Sequence, residues 1–401
     1  MQEKIFKLKG KVMHYAWGGH KFIPNWLGEK NAANQPFAEY WMGAHPSAAS
    51  AIITNMGAIN LLDAIREMPV FLLGESVYET YGELPFLFKI LDVKDALSIQ
   101  VHPTKAAAAK GFDAEDVMRK PITASNRNYK DRNHKPEIMV ALSDFWLLHG
   151  FMREDQLQKR LDAIPAFSDL AELFKQKSYK ALYKEVMQMP PEKVDALLVP
   201  LVKTALKKKA KLAKEDPAYW VAKYYADKEP INIDRGIFSI YFFNLLHVKK
   251  GEGIFQGAGL PHAYLEGKNI ELMANSDNVL RAGLTPKHID VPELMKHVIF
   301  KGITPEILKG RNDGNGTFMY DCPAPDFGLA AIRLKADDKV TYTAQSPEIL
   351  LVMEGVAKLK GSRTLTIKKG EAAFVAAGEK YEIKAISQLQ AFKAFVPHFN
   401  P

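Results

Sequence analysis

Ser98-Ile-Gln-Val-His-Pro103 is the stretch from which the rest of the chain is read. Side chains of a strand alternate between its two faces, so Ser98, Gln100 and His102 share one side while Ile99 and Val101 take the other. That pattern describes a polar site on one face and a core on the other. Pro103 cannot donate to a ladder and ends the strand. A Gln-x-His pair alone is a weak signal, and it gains meaning only if further metal-capable side chains join it.

Working outward, the run Leu84–Val93 is almost wholly apolar but contains Lys89. A lysine buried in a strand requires an anionic partner, from the protein or from a ligand. On the other side, Thr104 is placed to cap an alanine-rich helix reaching to about Arg119. The polar segment Tyr129–Lys135 then runs into the strand Glu137–Leu142, where Lys135 and Glu137 share a face. A carboxylate at the head of an apolar strand also needs a cation.

The period changes after about Arg153. Leu157, Leu161, Ile164, Leu170, Phe174, Leu182, Val186, Leu197, Leu201 and Leu206 recur at three- and four-residue steps, the mark of amphipathic helices. This lysine-rich segment reads as a helical insertion serving as a structural cover, and its excess lysines read as a solvated face rather than a polyanion surface. From Gly236 to Val248 an aromatic, apolar run predicts one or two buried strands. Towards the N-terminus, Trp17, Trp41 and His45 are candidates for lining a pocket.

An internal repeat supports a duplicated β architecture. Lys249–His262 aligns without gaps on Lys368–Tyr381, sharing Lys-Lys-Gly-Glu, a phenylalanine and an Ala-Gly pair, but Tyr381 stands opposite His262. Two related, barrel-like units follow, of which only the first retains the histidine. The fold class is therefore mainly β with a helical insertion. Residues 1–150 and 233–310 form a site-bearing sandwich, 151–232 the insertion, and 311–401 a second, metal-free β domain.

The 401 residues, 47% hydrophobic with a net charge of +8, suffice for a sizeable core. The single cysteine, Cys322, excludes an internal disulfide framework and reads as an inert packed thiol. The first residues mix charges of both signs, and no stretch approaches ~20 uncharged apolar residues, which suggests a cytoplasmic protein with neither membrane nor nucleic-acid partner. A monomer is expected.

The chemical hypothesis is one cation held by Gln100, His102, Glu137 and His262. Two imidazoles, a carboxylate and an amide oxygen suit Zn²⁺, with Mn²⁺, Fe²⁺ or Co²⁺ as lesser options. A divalent ion in that set keeps a net positive charge and favours an oxygen-rich anionic ligand.

Ser98-Ile-Gln-Val-His-Pro103, His134-Lys-Pro-Glu137, Leu260-Pro-His-Ala-Tyr-Leu265, Asn275-Ser-Asp-Asn-Val-Leu-Arg-Ala-Gly-Leu-Thr-Pro-Lys287 and Tyr40-Trp-Met-Gly-Ala-His-Pro46 resemble motifs of the type I mannose-6-phosphate isomerases. The resemblance implies a cupin-type β-sandwich or jelly roll, one zinc ion, and interconversion of mannose 6-phosphate and fructose 6-phosphate through an enediolate. By residue match the family's metal ligands fall on Gln100, His102, Glu137 and His262, and its active-site arginine on Arg281. Positions linked with catalysis fall on His134, Lys135, Glu271 and Asp277, with Glu271 the first choice as proton carrier. Phosphate-side residues fall on Lys89, Ser98 and Lys287, and Trp17 is expected to line the substrate pocket. A metal-dependent cupin oxygenase and a non-catalytic sugar-phosphate binder are the alternative classes.

Overall fold

The structure, a computed structural model, describes residues 3–397. The outermost positions of the first and last predicted segments, 1–2 and 398–401, lie outside the described residues.

The strand His262–Ala274 is the spine of the site-bearing half. It pairs with Phe86–Val93, Glu137–Ala141, Phe145–Phe151 and Ile99–Val101, all within a ten-stranded antiparallel sheet system. Its two halves take different partners because it bends at Gly267, whose φ of 134° suits glycine. A Cβ there would lie 2.5 Å from the Phe145 ring. Between Tyr264 and Glu266 the register slips by one residue, a bulge that reverses the alternation of faces. His262 and Glu271, nine positions apart, thereby come to line the same chamber.

A nine-stranded sheet packs against this one. Its order is Arg311–Gly314, Thr317–Tyr320, Gly328–Leu334, Leu389–Phe395, Glu348–Glu354, Ala372–Val375, Ile5–Lys9, Ala51–Thr54 and Gly57–Asn60. The first strand and the hairpin 51–60 thus belong to the sheet of the C-terminal strands. A four-stranded sheet, Lys339–Thr343, Lys380–Ala385, Val356–Lys360 and Thr364–Lys368, completes that half. The strands form sheets that face one another and do not close into a barrel.

Phe86, Phe88, Ile90, Ile138, Val140, Ile270 and Leu272 from one half share a core with Leu329, Ile349, Leu351, Phe374 and Phe392 from the other. Period-two alternation then turns Lys89, Glu137 and Glu271 away from that shared core, towards the polar chamber.

Residues 154–224 are helical, as the periodicity predicts. Leu157, Leu161, Leu170, Phe174, Leu182 and Val186 are buried. In the helix Pro191–Lys208 the buried stripe is Val194, Leu198, Val202 and Ala205, one residue away from the predicted Leu197 and Leu201, which are only partly buried. The run Gly236–Phe242 is a helix rather than a strand, and only Phe243–Val248 is extended. All seven residues of that helix are buried, and a short apolar run without a polar face fits either conformation. Thr104 caps the helix Lys105–Val117 through its hydroxyl and the Ala107 amide. Among the described residues no helix is long and apolar enough to cross a membrane.

Phe151 joins the insertion to the sheet, its ring meeting Tyr179, Tyr183 and Phe243 edge-on. Phe151→Ala is expected to cost about 3–5 kcal/mol, read as a lowered denaturation midpoint in urea. An unchanged midpoint would show that the insertion does not depend on this anchor.

Candidate metal centre

Three donors converge on one point. The His102, Glu137 and His262 side chains each offer a ligand atom, all lying within 4.8 Å of one another, and all three residues are buried. His102 Nε2 stands 3.4 Å from one Glu137 oxygen, and His262 Nε2 stands 3.3 Å from the other. Both rings use Nδ1 on backbone carbonyls, His102 on Asn278 at 2.9 Å and His262 on Leu260 at 2.9 Å. That engagement makes Nδ1 the protonated nitrogen and leaves an Nε2 lone pair facing a carboxylate. Burial pushes His102 down to about 4 against the pull of Glu137, so it is neutral at ordinary pH.

Two lone pairs aimed at a carboxylate repel it unless a cation lies between them, and His102 Nε2 has no hydrogen-bond partner. The donor set therefore fits a zinc ion, with the second nitrogen of each imidazole anchored as ligating histidines require. Gln100 is paired with His262 across the sheet and lines the same chamber.

The chamber, about 60 Å³, is also lined by Glu39, Lys89, Lys135, Tyr264 and Glu271. Lys135 Nζ lies 3.2 Å from Glu137. Burial opposes ionisation of Glu137, but the Lys135 ammonium beside it holds its carboxyl well below the usual range. Burial raises Glu271, and Lys89 at 3.1 Å pulls the other way.

Lys89 does not stand with the phosphate-side residues. Its ammonium is shared by Glu271 and Glu39, the latter at 3.5 Å, beneath the Trp41 ring. Burial alone would lower it, and the two carboxylates raise it instead. The anion that a buried lysine demands is thus supplied by the protein. Glu39, which also accepts a bond from the Trp41 indole, is not legible in the sequence, because a single acid in an aromatic strand carries no spacing signal.

Above the chamber opens a cleft of about 880 Å³, and Glu39, Leu97 and Gln100 line both. Ser98, Trp17, Arg281 and Lys287 lie in the cleft. Arg281 sits across from Gln100 in the neighbouring strand. Its Nε is buried without a partner, and burial lowers its affinity for a proton. Lys287 is likewise lowered, by burial and then by the Arg281 charge. Among the described residues neither cation has an acidic partner, so the cleft is open to an anion. Trp220, Lys223, Tyr224 and Lys228 complete its wall, so the helical insertion is more than the expected structural cover.

His134 and Asp277 lie outside both linings. His134 Nε2 bonds Asp326 of the C-terminal half at 2.8 Å, and Asp277 lies 3.5 Å from buried His45. Between them Asn278, fully buried, bonds the backbone of Lys130, Asp131 and Asn133 and presents its carbonyl to His102. The first four residues of the Asn275–Lys287 motif thus hold the segment that leads into Glu137 in place. Cys322 lines neither the chamber nor the cleft, and burial pushes its thiol up to about 12, which agrees with an inert role.

Comparisons with known proteins agree with this geometry. The family description "Phosphomannose isomerase type I, catalytic domain" matches residues 5–154. The mannose-6-phosphate isomerase of Escherichia coli (strain K12) is 37% identical over 385 residues, which cover 93% of this chain and 95% of that protein. The Schizosaccharomyces pombe enzyme of the same name is 30% identical, covering 98% and 99%. A zinc-bound mannose 6-phosphate isomerase structure superposes with a TM-score of 0.88 at 33% identity, covering 99% of this chain and all of that one. The Salmonella typhimurium enzyme bound to substrate (f6p) and zinc gives 0.87 at 33% identity, with the same coverage. With a zinc-type donor set below an anion-seeking cleft, and likeness along nearly the whole length, this chain belongs to the type I mannose-6-phosphate isomerase family, a cupin fold.

Proposed function

We propose that the protein is a zinc-dependent aldose-ketose isomerase interconverting D-mannose 6-phosphate and D-fructose 6-phosphate. The observation that carries this reading is the convergence of His102, Glu137 and His262 beneath a cleft whose two cations, Arg281 and Lys287, have no acidic partner. The chain would act as a cytoplasmic monomer on a small anionic sugar, with neither nucleic acid nor membrane as partner.

Zinc bound by Gln100, His102, Glu137 and His262 would supply Lewis acidity towards the sugar oxygens. Every other requirement falls to side chains. Isomerisation needs an opened ring, removal of a proton from the carbon next to the carbonyl, and its return to the neighbouring carbon. Arg281 offers a planar fork of donors in a partly desolvated place, suited to a developing enediolate or a phosphate, and Lys287 and Ser98 lie along the same wall. Trp17, stacked on Tyr15 at 5.9 Å, gives the sugar an apolar face.

Glu271 is the proposed proton carrier. Burial raises its carboxyl towards the range useful in proton transfer, while Lys89 keeps the charged form accessible. Lys135, which also lines the chamber, is the second candidate. His134, joined to Asp326, and Asp277, joined to His45, have their roles at the rim rather than in the chamber.

The direct test is a coupled assay for fructose 6-phosphate formed from mannose 6-phosphate. Activity should vanish when divalent ions are stripped and return with Zn²⁺, and full turnover by the stripped protein would end the metal reading. Glu271→Gln should lower kcat by ~10²–10⁴ at unchanged zinc content, and near-normal turnover would remove Glu271 from the role. Arg281→Lys should lower kcat/KM by ~10²–10³ without affecting zinc content, and a wild-type value would show that the fork is not used.

A further inference from the structure

The second β unit preserves the backbone of the metal centre with different side chains, and the register shows which residue replaces which. In both copies of the Lys-Lys-Gly-Glu turn the glutamate accepts from the first lysine amide, Glu252 from Lys249 at 3.0 Å and Glu371 from Lys368 at 3.1 Å. Gly251 and Gly370 have φ of 88° and 85°, and Gly259 and Gly378 have 80° and 78°.

The strands after these turns pair in matching registers. Gln256 stands opposite Glu137, and Val375, its counterpart, stands opposite Glu348. Pro136-Glu-Ile138 therefore corresponds to Pro347-Glu-Ile349. Glu271 faces Met139, two residues beyond Glu137, and Lys393 faces Leu350, two residues beyond Glu348. His262 pairs with Gln100, and Tyr381 with Tyr342. The Gly259 amide donates to the His102 carbonyl, and the Gly378 amide to that of Ala344. Across the repeat Gln100 becomes Tyr342, His102 becomes Ala344, His262 becomes Tyr381 and Glu271 becomes Lys393. Among the ligand positions only the glutamate is kept.

That remaining carboxylate is buried and needs a positive charge. Lys393 Nζ lies 3.2 Å from one Glu348 oxygen, and the Tyr381 hydroxyl donates to the other. The ammonium also sits 3.9 Å from the Tyr342 ring centre, the position corresponding to Gln100, and the two tyrosine rings lie 5.7 Å apart. We infer that the second unit is a duplicated metal site in which the Lys393 ammonium is the resident cation, tethered to the chain in place of a divalent ion. Tyr381 bonds the Glu348 oxygen other than the one that Lys393 holds, and Tyr342 covers the ammonium. The second unit then contributes stability rather than a second reaction.

The test uses the full chain and zinc alone. The variant Ala344→His/Tyr381→His/Lys393→Met restores a His-Glu-His set around Glu348 and removes the competing cation. After incubation with zinc and desalting, elemental analysis should find one more zinc per chain than in the wild type. A variant folded by its far-UV spectrum but holding only the wild-type amount would overturn the inference. Because the readout is a gain over wild type, it is independent of whether the first site makes the protein an isomerase.

If the triple variant does not fold, two simpler ones decide. Lys393→Met leaves Glu348 without its cation and should lower Tm by roughly 5–10 °C. Adding Glu348→Gln should recover at least half of that loss. A single variant as stable as wild type, or a double variant no better than the single, would show that Glu348 does not depend on the lysine.

Discussion

The Glu137 carboxylate governs the active half of the molecule. It is buried between two imidazole nitrogens whose lone pairs point at it, with Lys135 on a third side. An arrangement of that kind is unfavourable by itself, since lone pairs do not stabilise an anion and burial penalises its charge. It becomes favourable when a cation occupies the shared point. Around it the Asn278 carbonyl and the Leu260 carbonyl hold the two rings in the tautomer that ligation needs.

The sheets make this arrangement possible by dividing labour between faces. Ile138 and Val140 look into the apolar core shared by the two halves, and Glu137 looks the other way. Phe88 and Ile90 do the same for Lys89, as Ile270 and Leu272 do for Glu271. A rigid apolar layer therefore backs the charged groups of the chamber, and the C-terminal half contributes its own apolar face to that layer. The same half reaches the segment that leads into Glu137 through Asp326 and His134.

Charge is partitioned along the path that a ligand would take. In the chamber each lysine is matched by carboxylates, Lys89 by Glu39 and Glu271, Lys135 by Glu137. In the cleft Arg281 and Lys287 are unmatched among the described residues, and Lys223 and Lys228 of the insertion stand nearby. An anionic group entering the cleft would meet unmatched positive charge at the outer wall, with its uncharged end towards the chamber.

Local sequence determined the strand around Gln100 and His102, the cap at Thr104, the helical insertion and the turns of the repeat, because each depends on neighbours within a few residues. The motifs also placed Glu137, His262 and Arg281 in one site. Other features were decided only in three dimensions. Gly236–Phe242 is a helix that its surroundings bury on all sides, so no periodicity was there to read. Lys89 is claimed by Glu39 and Glu271, strands away in sequence. Simple alternation would put His262 and Glu271 on opposite faces, and a one-residue bulge with the bend at Gly267 brings them together. Which residues share a chamber depends on register between distant strands, and register is set by long-range packing rather than by any local pattern.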